Sequence, residues 1–124
     1  MKVLLSIKPH FVNKIFDGSK KYEFRRTLFK RKGIKTVIIY ASYPIKRIVG
    51  EFQIKEIISD DIDKIWEMTK DSAGITKDFF KSYYADKKVA TVIHIGKITK
   101  YEEDKFLSDF NLKQAPQSFC YLND

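Results

Sequence analysis

The chain is poor in the residues that staple, kink or ligate. Cysteine occurs once in 124 residues, at Cys120, so an intramolecular disulfide is excluded and a reducing compartment fits. A single thiol, with His10 and His94 far apart in sequence and neither in a zinc motif, offers no recognisable metal site. Three prolines and five glycines leave no low-complexity tract, linker or internal repeat. No apolar run approaches the ~20 residues of a membrane span, and the run at the amino terminus is too short for a secretory signal. The expectation is a cytoplasmic chain with no membrane partner, no metal and no cofactor.

What the chain has is charge and rings. Twenty-four Lys and Arg stand against sixteen Asp and Glu, a net charge of +8, and 44% of residues are hydrophobic, with ten Phe, seven Tyr and one Trp. That length and apolar content make one compact domain, residues 1–124. A basic excess of this size points to polyanions, nucleic acid first and an anionic membrane surface second. A surface that is basic throughout is the alternative, since most of the excess is lysine spread along the chain.

The apolar pattern divides the chain into strands and short helices. Val3 to Ile7 reads as a first strand. Pro9 suits the first turn of a helix carrying Val12, Ile15 and Phe16, which Asp17-Gly18 stops. Lys20–Arg26 reads as a strand, and Thr36–Ala41 as one buried on both faces. Arg47–Ile58 is a long strand in which Gly50 marks a bend or bulge. Asp60 or Asp61 caps a helix with Ile62, Ile65, Trp66 and Thr69 on one stripe, and Thr76 caps another bearing Phe79, Phe80, Tyr83 and Tyr84. Lys88–Lys100 returns to strand, and Tyr101–Asp109 reads as an acidic loop or helical turn. Phe119 and Tyr121 alternate with Ser118 and Cys120 as a last short strand. Trp66 reads as a core anchor and His94 as a core histidine with one nitrogen satisfied.

Chemistry concentrates between Gly18 and Lys35. In an extended Gly18–Arg26 segment alternate side chains take opposite faces. Tyr22 and Phe24 then point into a core, while Glu23 and Arg25 point to solvent with Lys20 at the start of the strand. One anion and two cations together grip phosphate, read a base edge or move protons. A solvated strand face is the plainer reading. From Arg25 to Lys35 six of eleven residues are basic and none acidic, which reads as a phosphate-facing rim through Lys30, Arg31 and Lys32.

The spacing Gly18-x-Lys20-x-x-Glu23-x-Arg25 resembles the signature of the ASCH domain family, within the PUA-like superfamily. Its flanks fit in order: Leu5-Ser6-Ile7-Lys8-Pro9, Tyr40-Ala41-Ser42, Val49-Gly50-Glu51-Phe52, Trp66-Glu67, Ala73-Gly74-Ile75 and Pro116-Gln117-Ser118-Phe119. The resemblance covers nearly the whole chain and is similar to the short prokaryotic single-domain subgroup. It implies an α+β fold, a PUA-like small β-barrel with short helices packed around it, and a cleft beside the first helix. It also implies binding of RNA or a modified nucleoside in connection with translation or transcription, with a regulatory protein as a further partner. The candidate nucleotide-binding set is Lys8, Lys20, Glu23, Arg25, Arg26, Ser42 and Ser118. One branch of the family hydrolyses an acetylated nucleoside with a lysine, a threonine and a glutamate. Lys20 matches its lysine, but Glu23 stands at its threonine, and Asp71 is the only acid where its glutamate falls.

Three functions use these residues differently. As a binding domain, Lys20 and Arg25 hold a phosphate while Glu23 accepts from an exocyclic amine, with Tyr22, Phe29 or Tyr43 as a base-stacking ring. As a hydrolase acting on RNA or a modified nucleoside, Lys20 or Glu23 serves as base or nucleophile and Arg25 stabilises the developing charge. As a protein-interaction module, the basic surface meets an acidic partner. Oligomeric state is not legible in the residues.

Overall fold

Breakers and apolar runs lay down six strands and three helices in a computed structural model that describes residues 1–123. In chain order these are β1 (Lys2–Ile7), α1 (Pro9–Phe16), β2 (Tyr22–Arg25), β3 (Thr36–Ala41) and β4 (Arg47–Asp61). They are followed by α2 (Ile62–Thr69), α3 (Lys77–Tyr83), β5 (Val89–Lys105) and β6 (Phe119–Leu122), with 3-10 turns at Lys70–Ser72 and Leu107–Phe110. The strands form one sheet in the order β2-β5-β4-β3-β1-β6. β1 and β3 run parallel, and every other pair is antiparallel. No helix among the described residues is long and apolar enough to cross a membrane.

The expected small barrel is not formed. The sheet is mixed and open: β2 pairs only with β5, and β6 only with β1. Barrel closure requires a ladder between the last and first strands, and here each edge strand is only four residues long. The two edges are instead joined by one side chain, Arg25 of β2 reaching Ser118 just before β6. The α+β class stands and the closure does not.

Curvature comes from the middle of the sheet. The β3–β4 register shifts between Ile39 and Tyr40, and the β4–β5 register shifts between Ile48 and Gly50, so the chain bulges at Val49-Gly50 as the glycine predicts. A Cβ on Gly50 would stand 2.5 Å from the Thr99 carbonyl oxygen and 2.8 Å from the Phe16 ring, which is why the position has no side chain. Three apolar clusters fill the fold. One lies under α1 and includes Val3, Ile15, Val37 and Phe52. A second joins α2 and α3 to Phe24 and Val92. The third sets Leu4 and Ile38 against Leu107 and Phe110.

Two local expectations change. Tyr101–Lys105 continues β5 instead of looping, because the Tyr101 ring packs on the third cluster and its hydroxyl donates to Glu51 Oε1 at 2.9 Å. Asp61 sits at the start of α2 but makes no side-chain cap; Asp60 Oδ1 instead accepts from the Asp61 N–H. Thr76 caps α3 as expected, accepting from the Phe79 N–H at 3.1 Å. Trp66 is a core residue against Phe80.

Candidate functional site

The site forms where the two sheet edges face each other. After α1 ends, Gly18 turns the chain at a φ of +86°, and the Lys20 N–H donates back to the Lys14 carbonyl at 3.0 Å. This turn sends the Lys20 side chain inward, where only 2 % of the residue is exposed. Its ammonium donates to the Ala73 carbonyl at 2.7 Å and lies between the faces of Phe24 and Phe11, 4.8 and 5.1 Å from their centres. Burial lowers its pKa to about 8, Glu23 pulls it partly back up, and Lys14 pushes it down.

The loop that receives Lys20 is built to touch it. Gly74 has a φ of +70°, and a Cβ there would stand 2.7 Å from Cβ and Cγ of Lys20. Lys14 Nζ fixes the same loop by donating to the Gly74 carbonyl at 3.1 Å. A larger residue at Gly74 would therefore displace the lysine.

Glu23 and Arg25 were expected on a solvent-facing side. Glu23 is instead 5 % exposed, because β2 is clasped from two directions. Tyr83 at the end of α3 and Tyr84 just after it donate their hydroxyls to the β2 carbonyls of Phe24 and Arg25. On the other flank stands the 116–118 segment, anchored where Ser6 Oγ donates to the Pro116 carbonyl at 2.7 Å. Between these walls Arg25 Nη1 donates to Glu23 Oε2 at 3.0 Å, while Nη2 donates to the Ser118 carbonyl at 3.2 Å and to Ser118 Oγ at 2.6 Å. The guanidinium is thus held in a fixed plane.

These groups border a cavity of about 260 Å³ lined by Ser6, Lys8, Phe11, Lys20, Glu23, Phe24, Arg25, Ile75, Phe79, Tyr83 and Gln117. Four of the seven sequence candidates, Lys8, Lys20, Glu23 and Arg25, line it, and Ser118 touches it through Arg25. Two do not. Arg26 turns outward to the Tyr83 carbonyl and to Asp86, whose carboxyl it pulls down to about 2. Ser42 donates its backbone N–H to the Ile7 carbonyl and lies off the cavity wall.

The basic loop is also apart from the cavity. Lys30 and Arg31 donate their backbone N–H groups to the Tyr121 hydroxyl, the Arg31 guanidinium lies over the Tyr121 ring at 4.8 Å, and Lys32 is exposed. None of the three lines the cavity. The candidate stacking rings also lie off the cavity wall. Phe29 is core against Phe119, Tyr22 packs on His94, and Tyr43 is exposed away from the cavity. His94 Nδ1 is buried without a hydrogen-bond partner, unlike the satisfied nitrogen expected.

Sequence reasoning missed the apolar wall. Phe11, Phe79 and Tyr83 line the cavity, Phe79 meeting Phe11 edge to face at 5.6 Å while itself 42 % exposed. The helical stripe placed Phe79 on the buried side, and an exposed phenylalanine beside a buried lysine is visible only in three dimensions. The Gly74 contact had a signal, a glycine between the two short helices. Among the described residues no group of three His, Cys, Asp or Glu side chains is arranged to hold a metal ion.

The mixed sheet with helices at its edges is a fold that solved ASCH proteins share. The crystal structure of ASCH from Zymomonas mobilis superposes on 98% of this chain and 87% of its own with a TM-score of 0.88 at 24% identity. A tyrosine-to-phenylalanine mutant of that protein gives a TM-score of 0.88 at 23% identity, with 98% and 90% of the two chains covered. The ASCH domain-containing ribonuclease of Zymomonas mobilis is 26% identical over 73% of this chain and 61% of its own length. The chain belongs to the family described as a domain of unknown function (DUF365), whose model matches residues 1–112, and is similar in sequence and fold to these ASCH domain proteins. It is also similar to parts of two longer Ureaplasma parvum proteins. The large ribosomal subunit protein uL22 is 30% identical over 97% of this chain, and ATP synthase subunit alpha 26% identical over the same share. The chain spans 39% and 15% of those two relatives.

Proposed function

We propose that the chain is an RNA-directed hydrolase that seats one nucleotide in the Lys20 cavity and cleaves the adjoining phosphodiester. Kinship with a protein named as an ASCH domain-containing ribonuclease supports an RNA-associated role in general. The observation that carries the specific reading is Lys20 itself: a buried lysine with a pKa of about 8, beside a guanidinium fixed by Glu23 and Ser118. A lysine so placed is substantially neutral near pH 8 and serves as a base.

The chemistry follows from those positions. The neutral amine of Lys20 accepts the proton of the ribose 2′-hydroxyl. The O2′ lone pair forms a bond to phosphorus as the bond to O5′ breaks, leaving a cyclic phosphate and a 5′-hydroxyl. Water then adds to phosphorus as the P–O2′ bond breaks, which completes the hydrolysis and returns the proton to O2′. Lys8, at the cavity wall, supplies the proton that O5′ takes up. Arg25 keeps N–H donors beyond those spent on Glu23 and Ser118, and these meet the charge growing on the phosphoryl oxygens. A volume of about 260 Å³ lies at or below the usual range for small-molecule pockets, which suits one nucleotide and not a duplex. The unpaired base stacks on Phe79 and Phe11.

A second reading, recognition of RNA or a modified nucleoside without cleavage, is favoured by the Glu23 carboxylate in the cavity wall, the acceptor that reads an exocyclic amine. One experiment separates the two. End-labelled single-stranded RNA, and the same strand with deoxyribose at each position, are incubated with wild type and Lys20→Met, below and above pH 8. Hydrolysis predicts cleavage of the RNA alone, faster as the pH passes about 8, and none by Lys20→Met. RNA that is retained but intact at high enzyme concentration, without metal and with Mg²⁺ or Mn²⁺, replaces the hydrolase with the reader.

A further inference from the structure

Lys20 also borders a second cavity, of about 280 Å³, whose wall includes Gly18, Lys21, Lys55, His94 and Gly96. Three parts of the chain build it: the turn before β2, the middle of β4 and the middle of β5. Every charged side chain in the wall is a lysine, and none is an acid. Lys21 and Lys55 have no ion pair or side-chain hydrogen bond among the described residues, unlike Arg26, Lys70 and Lys81, which each hold a carboxylate. His94 is fixed by stacking on Tyr22, with ring centres 4.6 Å apart. Its Nδ1 is buried without a hydrogen bond, since the nearest carboxylate, Glu56 Oε1, stands 3.6 Å away.

The backbone contributes a recess. Pairing between β4 and β5 steps from Ile54–Ile95 to Phe52–Ile98, which takes Gly96 out of the ladder at the cavity wall. A Cβ at Gly96 would stand 3.0 Å from the Gln53 carbonyl oxygen, so a larger residue there would crowd the bulge. Bulges of this kind gather beside binding sites.

We propose that this second cavity is a phosphate-binding site, separate from the cleft that holds Arg25. Lysine ammonium groups are compact point charges suited to phosphate, an imidazole adds a polar contact, and the volume exceeds what a phosphate alone fills, leaving room for an attached sugar. The site needs no catalysis and stands whether or not the chain cleaves RNA. The phosphate belongs either to an RNA strand or to a free anion or mononucleotide.

The test is titration of the full chain with inorganic phosphate at constant ionic strength, followed by the imidazole signals in proton–nitrogen NMR. With two histidines in the sequence, His94 reports the cavity and His10, which lines neither cavity, serves as the control. The expected result is a saturable shift of His94 alone, with affinity about tenfold weaker in Lys55→Glu, the loss of one charge-assisted contact. Lys55 and Lys21 are exposed, so Lys55→Glu and a second variant, Lys21→Ala, retain the fold. Competition between a short RNA and phosphate at His94 assigns the site to a strand, and competition by a mononucleotide alone assigns it to a free ligand. A His94 signal that phosphate leaves unmoved, or equal affinity in wild type and both variants, overturns the proposal. RNA cleavage is measured separately, so failure of the hydrolase reading leaves this result intact.

Discussion

Replacing Lys20 with methionine should make the protein inactive and more stable at once. Methionine keeps a flexible apolar stem against Phe11 and Phe24 and removes the cation. A fall in pKa from 10.5 to about 8 corresponds to roughly 3 kcal/mol by which the folded state disfavours the charged lysine. Against that, the Ala73 carbonyl loses its hydrogen bond, which costs about 1–2 kcal/mol. A net gain of about 1–2 kcal/mol remains at neutral pH.

The sign of the pH dependence tests the origin of that gain. Because the folded pKa lies below the unfolded one, the unfolded chain holds an extra proton between about 8 and 10.5. Wild-type stability from this group therefore rises with pH across that window. Below about 8 both states are charged and the penalty is fully present, so the advantage of Lys20→Met is largest there and fades toward 10.5. Tyr83, Tyr84 and Tyr101, whose pKa values burial pushes up from 10, lose stability as the pH rises past that value. They are present in both proteins and cancel in the difference. Urea unfolding of both proteins on a pH ladder measures the gap. A methionine variant less stable than wild type at neutral pH, or a gap that does not change with pH, refutes the reasoning.

Three further outcomes are expected. Arg25→Ala should destabilise the fold by about 3–5 kcal/mol, because it strands the buried Glu23 carboxylate; Arg25→Ala with Glu23→Gln should recover part of this in a double-mutant cycle followed by urea midpoints. Gly74→Ala should cost about 2–3 kcal/mol, from a residue held at a φ of +70° and an added Cβ 2.7 Å from Lys20, and RNA cleavage should fall with it. Lys30→Ala and Lys32→Ala should leave stability within about 0.5 kcal/mol and lower the salt slope of RNA binding by about 1 each if they track flanking phosphates; an unchanged slope removes them from the interface.

The local signals in the sequence were strongest where one residue decides a conformation. Pro9, Gly18 and Thr76 mark helix ends where they occur, Thr36–Ala41 is the strand its apolar run describes, and Gly50 sits in a bulge. The alternation rule failed at Glu23 for a tertiary reason. It assumes that a strand has one wet face, but β2 is covered by tyrosines at the end of α3 on one flank and by the 116–118 segment on the other. The same missing information hid the aromatic wall, since Phe11 and Phe79 belong to different helices and meet only after folding. Charge density did not point to the cavity. The basic loop is the densest positive run in the chain, yet it packs its backbone on Tyr121, and the cations that line the cavity are Lys8, Lys20 and Arg25, from outside the centre of that run.

The open seam accounts for the cavity that lies beside α1. Had β2 and β6 paired, their N–H and C=O groups would have satisfied one another and the side chains between them would have alternated in and out. Four-residue edges leave that ladder unmade, and the Ser118 carbonyl is satisfied instead by the Ser6 N–H and by Arg25. The guanidinium therefore stands in for a strand pair. It carries charge into the gap, and it obliges Glu23 to be buried beside it as counter-ion. That anion in turn raises the pKa of Lys20 against the pull of burial, which keeps the lysine mostly charged below about pH 8. The Arg25 bridge across the open seam, burial of the ion pair and poise of the lysine are one device, so a change to any of the three residues disturbs the other two.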